Sequence, residues 1–125
     1  ATADNQQIYR LYKAGFGRMP DDPGFHFWVA THNSTGMSFP EMAAYFMAST
    51  EGSKIYTPSL SNHDYLVQVY SNVLGRAPDA AGLVFWENLL NNGTLSRAAE
   101  LDYIAKSDEN ISGTHAFYDN GYYLI

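Results

Sequence analysis

The feature that most constrains this chain is a twelve-residue segment that occurs twice. GRMPDDPGFHFW begins at Gly17, and GRAPDAAGLVFW begins 58 positions later at Gly75. When the chain is shifted on itself by 58 residues, residues 8–51 align with 66–109 without a gap, and identities are spread along the whole alignment. Self-similarity at one fixed period indicates a duplicated structural module, so we expect two copies of one unit.

The repeated segment has the pattern of a corner between two helices. Its first glycine can take the positive φ of a helix C-cap, and the Asp four positions later can cap the next helix. The Arg between them can reach the last helical carbonyls or the capping carboxylate. The Phe-Trp pair that closes the segment is expected to anchor the second helix in a core. The motif residues are Gly17, Arg18, Pro20, Asp21, Gly24 and Trp28 in the first unit, and Gly75, Arg76, Pro78, Asp79, Gly82 and Trp86 in the second.

Hydrophobic spacing predicts three helices in each unit. Apolar residues recur at helical spacing before each corner. They are Ile8, Leu11, Tyr12, Gly15 and Phe16 in the first unit, and Leu66, Val69, Tyr70, Val73 and Leu74 in the second. A third helix is expected from Ser38, where Glu41 completes a capping box, and from the matching Ser96. The fold class is therefore expected to be mainly α, with two tandem three-helix units packed as one helical domain.

We expect a single domain over residues 1–125. The first unit covers 5–52, a connector containing Ser and Pro covers 53–62, and the second unit covers 63–110. Residues 111–125 differ in character, because two aromatic runs flank Asn120-Gly121, a dipeptide typical of tight hairpin turns. This C-terminal extension is expected to form a short aromatic β-hairpin or an extended tail.

Charge and composition exclude several classes of function. The chain has 13 acidic and 7 basic side chains and a net charge of -6, which disfavours nucleic acid and anionic membranes as partners. It has no Cys, so thiol catalysis, disulfides and thiolate metal sites are excluded. No apolar run approaches the roughly 20 residues that span a bilayer, and we expect no membrane insertion.

The sequence offers little support for enzymatic chemistry. Asp21-Asp22 is the one adjacent acidic pair, and the second unit lacks it, so helix capping is favoured over paired-carboxylate catalysis. His26 and His32 lack the spacing of a helical metal pair, and no His-Glu-x-x-His or Gly-x-Ser-x-Gly motif occurs. We assign no catalytic or metal-binding residue and no cofactor, and expect that the chain is not an enzyme. Calcium stays open, since acidic oxygens at the corner could supply part of a shell.

The C-terminal extension carries the candidate binding residues. They are Phe117, Tyr118, Asp119, Asn120, Tyr122 and Tyr123. Flat aromatic rings beside polar groups suit a sugar, and a short apolar edge strand suits pairing with another chain. The alternative that stays open is a hairpin that packs on its own domain and seals the core.

The motif also resembles a bacterial family, domain of unknown function 4214. The pattern is Tyr-x4-Gly-Arg-x-Pro-Asp-x-x-Gly-(Leu/Phe)-x-Phe-Trp, followed by Leu-Ser-Arg-Ala and Ser-Asp-Glu. Residues 65–110 match it closely, and 7–52 match more loosely because Met-Ser-Phe-Pro at 37–40 replaces Leu-Ser-Arg-Ala. The resemblance implies a helical domain, similar to phycobilisome linkers, of secreted, surface-associated or phage-structural proteins, often beside calcium-binding repeats or adhesin modules. It implies no catalytic residues.

Together these features predict a non-enzymatic structural or interaction module of a bacterial surface or secreted protein. Its location would be extracellular, at the cell surface or in a phage virion. We expect it to mediate self-assembly, for example into filaments, or adhesion, with itself or another surface protein as partner. The alternative is a carbohydrate-binding module that uses the C-terminal aromatics.

Overall fold

The computed structural model of the chain describes residues 3–112, which form helices and contain no β-strand. The helices are α1 (Ala3–Phe16), α2 (Asp22–Thr35), α3 (Phe39–Ala48), α4 (Thr50–Ile55), α5 (Asn62–Val69), α6 (Ala80–Asn91) and α7 (Arg97–Ala105). A π-helical turn, Tyr70–Leu74, continues α5, and residues 108–112 are again helical. The prediction of a mainly α fold is confirmed.

The number of helices differs from the sequence prediction of three per unit. That prediction leaves out α4, which follows α3 after one residue, and the helical residues 108–112. Serines at matched positions begin both segments: Ser49 Oγ accepts a backbone hydrogen bond of 3.0 Å, and Ser107 Oγ accepts one of 3.3 Å. Helix α4 also includes residues 53–55 of the predicted connector. The predicted C-terminal hairpin lies outside the described residues.

The helix ends at each corner follow the local signals in the sequence. Gly17 and Gly75 have φ angles of 68° and 69°, the left-handed conformation that glycine adopts at a C-cap. Asp21 Oδ1 accepts a hydrogen bond of 2.6 Å from the N–H three residues later, and Asp79 Oδ2 accepts the equivalent bond at 3.2 Å. These bonds satisfy amides that have no partner within the helix.

The third helix of each unit is capped by serine. At α3, Ser38 Oγ accepts from the N–H of Glu41 at 3.2 Å, and the Glu41 carboxylate accepts from the N–H of Ser38, which completes the capping box. At α7, Ser96 Oγ accepts from the N–H of Ala99 at 3.1 Å. Both helices therefore begin where the sequence predicts.

The core lies where α1, α3 and α7 meet. The most extensive contact between helices joins α3 to α7, and α1 packs against both. The fully buried side chains of these three helices include Ile8, Tyr9, Leu11, Met42, Phe46 and Leu101. Because α3 and α7 are the matched third helices of the two units, both units contribute to one core.

Hydrogen bonds across the junction reinforce this packing. Gln7 Nε2 of α1 donates to Asp102 Oδ1 of α7 at 2.7 Å, and both residues are buried. The Tyr56 hydroxyl donates to the carbonyl of Ala14 at 2.6 Å. Asn72 Nδ2 donates to the same carbonyl at 3.0 Å and to the Tyr56 hydroxyl at 2.8 Å. The end of α1 is thus tied to the connector and to the second unit.

Glu100 of α7 is an acidic residue buried in the apolar core. Its side chain is fully buried, and neither carboxylate oxygen has a hydrogen-bond partner among residues 3–112. Burial raises its pKa to about 8, and the neighbouring Tyr65 offsets only part of that rise. The hydroxyl proton of Tyr65 is engaged elsewhere, since it is donated to the carbonyl of Arg97 at 2.7 Å. Glu100 is therefore mainly protonated at neutral pH.

Candidate functional site

An ion pair holds the repeated corner of the first unit. Arg18 Nε and Nη2 donate to the two carboxylate oxygens of Glu51 at 2.7 and 3.1 Å. Nη2 also donates to the Tyr12 hydroxyl at 3.1 Å, and Nη1 lies 3.5 Å from the Asp21 carboxylate. Hydrogen bonding from the guanidinium lowers the pKa of Glu51. Arg18 therefore connects the end of α1 to the starts of α2 and α4.

The second unit repeats this arrangement. Arg76 Nε and Nη2 each donate to Glu109 at 2.8 Å, and Nη1 lies 3.6 Å from Asp79. The guanidinium carbon lies 5.2 Å from the centre of the Tyr70 ring. The contact with the capping Asp was among the sequence predictions, but the pairing with Glu51 and Glu109 was missed. The available signal was the 33-residue separation of Arg and Glu, which is identical in both units.

The last glycine of the motif is needed because a tyrosine approaches it closely. A Cβ atom on Gly24 would lie 2.6 Å from Asp21 Oδ1 and 2.9 Å from the Tyr12 hydroxyl. On Gly82 it would lie 2.9 Å from the Tyr70 hydroxyl. The helix caps, the Arg–Glu ion pair and the close approach of the tyrosine to the last glycine explain the motif by the geometry of the corner. No ligand is needed to explain it.

The Phe-Trp pair corrects one sequence prediction. Phe27 and Phe85 do not anchor their helices in the core; they are 60% and 56% exposed. Phe27 lies two residues after the buried Phe25, and two residues turn an α-helix by about 200°, so the two side chains take opposite sides. Trp28 and Trp86 are partly buried and do pack against the core. The prediction is therefore wrong for the phenylalanines.

Each unit presents a cluster of aromatic rings in which an exposed phenylalanine and an exposed tyrosine flank the partly buried tryptophan. Face one consists of Phe27, Trp28 and Tyr45, and face two consists of Phe85, Trp86 and Tyr103. The tryptophan ring centres lie 5.1 and 4.9 Å from those of the phenylalanines, and 6.3 and 6.1 Å from those of the tyrosines. Both tyrosines are exposed. These aromatic residues are identical in the two units, and they lie outside the row of helically spaced buried residues of each helix. That combination was the signal available in the sequence.

Face two borders a groove of about 480 Å³ between α6 and α7. The groove is lined by Phe85, Trp86, Leu89, Thr94, Leu95 and Tyr103. Leu89 and Leu95 occupy the positions that Thr31 and Met37 hold in the first unit, so this side of the second unit is the more apolar. The groove is large enough to receive several side chains of a partner.

The Trp86 ring is held in place from behind the groove. Its Nε1 donates a hydrogen bond of 3.1 Å to the Tyr70 hydroxyl, and burial is the main cause that raises the pKa of Tyr70. Because Tyr70 also contacts Arg76, the groove is connected to the corner of its own unit. Face two is therefore supported by the motif residues.

A second cavity, of about 490 Å³, lies at the junction of the two units. It is lined by Ala44, Met47, Ala48, Tyr56, Pro58, Arg97 and Ala98. The charged lining residue, Arg97, is engaged in the fold: it donates to the carbonyl of Leu60 at 2.6 Å and to Asn62 Oδ1 at 3.0 Å. The other lining residues that the structure describes are mostly small and apolar, and no set of catalytic groups comes together among them.

His32 and His63 have polar partners within the fold. His32 Nδ1 lies 2.7 Å from the carbonyl of Met37, and Nε2 lies 3.2 Å from Asp4. His63 Nδ1 lies 3.5 Å from Glu87. Within residues 3–112, no group of three His, Asp or Glu side chains is placed to hold a metal ion.

Two further points concern the sequence predictions. Among the helices that the structure describes, none has both the length and the apolar character to cross a membrane. The candidate binding residues of the tail lie outside the described residues. They are Phe117, Tyr118, Asp119, Asn120, Tyr122 and Tyr123.

A family model matches most of the chain. The family is described as Domain of unknown function (DUF4214), and its model matches residues 1–55 and 43–114. The two matches overlap and together span 1–114, consistent with two tandem units. No curated protein and no solved structure matches the chain.

Proposed function

The chain belongs to the DUF4214 family, and from that premise we propose that it is a non-enzymatic interaction module that mediates self-assembly or adhesion. The observation that carries this proposal is the pair of exposed aromatic faces, one in each unit. Large aromatic side chains are typical anchors of protein interfaces, where they bury much surface at little cost in side-chain entropy. The setting we propose is a bacterial surface or secreted protein, or a phage virion.

The arrangement of the motif supports this proposal by elimination. The glycines, the aspartates and the arginine of the motif are used to build the corners. The aromatic faces are also repeated in both units, and their phenylalanine and tyrosine side chains are largely exposed to solvent. Contact with a partner gives such rings a favourable environment.

Two similar faces also suit assembly. A chain with one contact surface can only pair, whereas a chain with two can bind a neighbour on each side. When the two contacts are not related by a closed symmetry, the product is an open filament. We propose, in addition, that 5–52 and 63–110 are the two structural repeats of one domain, followed by the aromatic extension.

The test is molar mass by light scattering over a concentration series, with electron microscopy of the same samples. We expect the mass of the wild-type chain to rise with concentration, and the double variant F27S/F85S to stay monomeric. Val67→Ser is the matched control, because Val67 is an exposed apolar residue of α5 outside both faces. The series is run with calcium and with a chelator, which also tests whether calcium takes part.

The proposal would be contradicted by a wild-type chain that stays monomeric at every concentration and binds no other protein through its aromatic faces. Retention of assembly in F27S/F85S would leave self-assembly standing but would remove the faces as its cause.

A second candidate function is carbohydrate binding. The sequence placed it on the C-terminal aromatics, and the groove at face two adds a place where a sugar ring could stack on Trp86 or Tyr103. Saturable binding to a glycan array by a monomeric chain, lost in Trp86→Ala and kept in Val67→Ser, would favour it over self-assembly.

A further inference from the structure

We propose that residues 117–125 of the chain dock, within the same molecule, into the groove beside face two. This segment contains six large apolar or aromatic side chains, which are Phe117, Tyr118, Tyr122, Tyr123, Leu124 and Ile125. The inference goes beyond the proposed function, because it concerns access to one aromatic face: a partner that binds face two would have to displace the segment from the groove.

The chemistry of the groove calls for an apolar occupant. Leu89 and Leu95 line it, and Phe85 at its edge is more than half exposed. Among the described lining residues, Thr94 and Tyr103 carry hydroxyl groups, and the Nε1 of Trp86 is already bonded to Tyr70. A strongly polar ligand would lose its hydrogen bonds to water and find few in return, whereas aromatic and aliphatic side chains gain by leaving water.

The segment begins within reach of the groove. Glu109 belongs to the helical residues 108–112 and is bound by Arg76. Arg76 contacts the ring of Tyr70, whose hydroxyl accepts the hydrogen bond from Trp86. Three successive side-chain contacts therefore connect the end of the described chain to the groove.

The tether favours docking within one molecule. Residues 113–116 span at most about 14 Å when extended. A tether this short raises the effective concentration of residues 117–125 at the groove of their own chain, and this exceeds the concentration of other copies in dilute solution. The occupant we assign is therefore the chain's own segment.

Face one is the poorer receptor for the same segment. Thr31 and Met37 stand there in place of Leu89 and Leu95. The Thr31 hydroxyl is already engaged, since it donates to the carbonyl of Phe27 at 2.8 Å. The second unit also directly precedes the segment in the chain, whereas the first does not. Trp28 is therefore an internal reference for Trp86.

The experiment uses the full chain labelled with 5-fluorotryptophan, which gives one fluorine resonance for each of Trp28 and Trp86. The test variant is F117S/Y118S/Y122S/Y123S. The matched control T114S/H115S/D119S/N120S changes four polar positions, two in the tether and two in the segment. We expect the Trp86 resonance to move in the test variant, at every concentration and without movement of Trp28. In the control we expect both resonances to stay in place.

Three outcomes would overturn the proposal. If neither resonance moves, the segment does not occupy the groove. If both move equally, the segment acts on the whole fold rather than on face two. If Trp86 responds only as the protein concentration rises, the occupant is the segment of another copy. Because the intramolecular readout is taken on dilute monomer, a failure of self-assembly leaves this result interpretable, and the reverse also holds.

A reciprocal measurement removes dependence on the tail variant. We expect Leu89→Ser to accelerate amide hydrogen exchange in residues 117–125, and Val84→Ser, on the same helix but outside the groove lining, to leave it unchanged. Exchange in this segment at the rate of an unstructured peptide in the wild-type chain would overturn the proposal.

Discussion

Arg18 and Glu51 are 33 residues apart in the chain and form a two-point ion pair, Nε to Oε2 at 2.7 Å and Nη2 to Oε1 at 3.1 Å. Arg76 and Glu109 form the same pair in the second unit. The pair brings the end of the first helix of each unit against the segment that follows the third helix. It therefore fixes the path of the chain around each unit.

The first prediction concerns the strength of this pair. Both side chains are more than two fifths exposed, so solvent screens them, and we expect a coupling of about 1 kcal/mol or less in a double-mutant cycle of Arg18→Gln and Glu51→Gln. Urea denaturation measures it. The coupling should shrink in about 1 M salt; a coupling that is unchanged by salt would mean that packing, not charge, joins the two residues.

The second prediction concerns Gly24. In Gly24→Ala the new methyl group would meet Asp21 Oδ1 and the Tyr12 hydroxyl, so the helix cap must shift. We expect a loss of about 1–2 kcal/mol in the free energy of unfolding, the usual cost of losing an N-cap. Thermal denaturation checks this.

Gly36→Ala is a partial control for Gly24→Ala. Gly36 has free space around it, but its φ of 70° disfavours alanine. The sharper control is the double variant Y12F/G24A, in which one of the two close contacts is removed. If it is no more stable than Gly24→Ala, the tyrosine does not explain the glycine.

The third prediction concerns pH. Glu100 has its pKa raised from 4.5 to about 8 by burial, so the folded chain holds a proton that the unfolded chain releases. Its contribution to stability is complete below about pH 4.5 and is lost as pH rises to about 8. We expect the free energy of unfolding to fall across this window by up to about 1.4 kcal/mol per pH unit.

Glu100→Gln should flatten that dependence, because the amide does not titrate. The readout is the difference between the urea stabilities of wild type and variant at pH 5, 6, 7 and 8, which cancels the other titrating groups. A difference that is constant over this range would show that Glu100 does not hold its proton in the folded chain.

The fourth prediction concerns the junction. Asn72→Ala removes hydrogen bonds to the carbonyl of Ala14 and to the Tyr56 hydroxyl. Leaving these partly buried acceptors short of a donor is expected to cost about 1–3 kcal/mol. Chemical denaturation should still show one transition for the whole chain; two separated transitions would mean that the units fold independently.

The fifth prediction separates assembly from stability. Since Phe27 and Phe85 are exposed, F27S/F85S should change the free energy of unfolding by no more than about 0.5 kcal/mol per site. A much larger loss would mean that these rings stabilise the fold, and would weaken the case for a contact surface.

Local signals predicted the helix ends well. Gly17, Asp21 and Ser38 act through residues no more than four positions away, so their roles can be read from spacing alone. Contacts between distant residues could not be read in this way. The pairing of Arg18 with Glu51 depends on how the helices pack. Asp21, only three residues from Arg18, was the partner that spacing alone suggested.

The candidate site was harder to predict than the fold. An aromatic residue beside Trp28 was expected in the core because burial is the commonest fate of such side chains. The helical period, applied to Phe25 and Phe27, would have separated the buried ring from the exposed one. The burial of Glu100 could not be predicted, because an acid at a helix surface position is ordinarily solvated and only the partner helix decides otherwise.

The hydrogen bond between Ala14 and Asn72 joins two positions that are equivalent in the 58-residue repeat. The packing of α3 on α7 likewise joins two equivalent helices. Contacts between equivalent residues are what a two-fold axis produces in a homodimer. The junction thus has the character of a subunit interface enclosed within a single polypeptide. A free-standing unit would hold this interface only above its dissociation constant, whereas covalent linkage maintains it at any dilution.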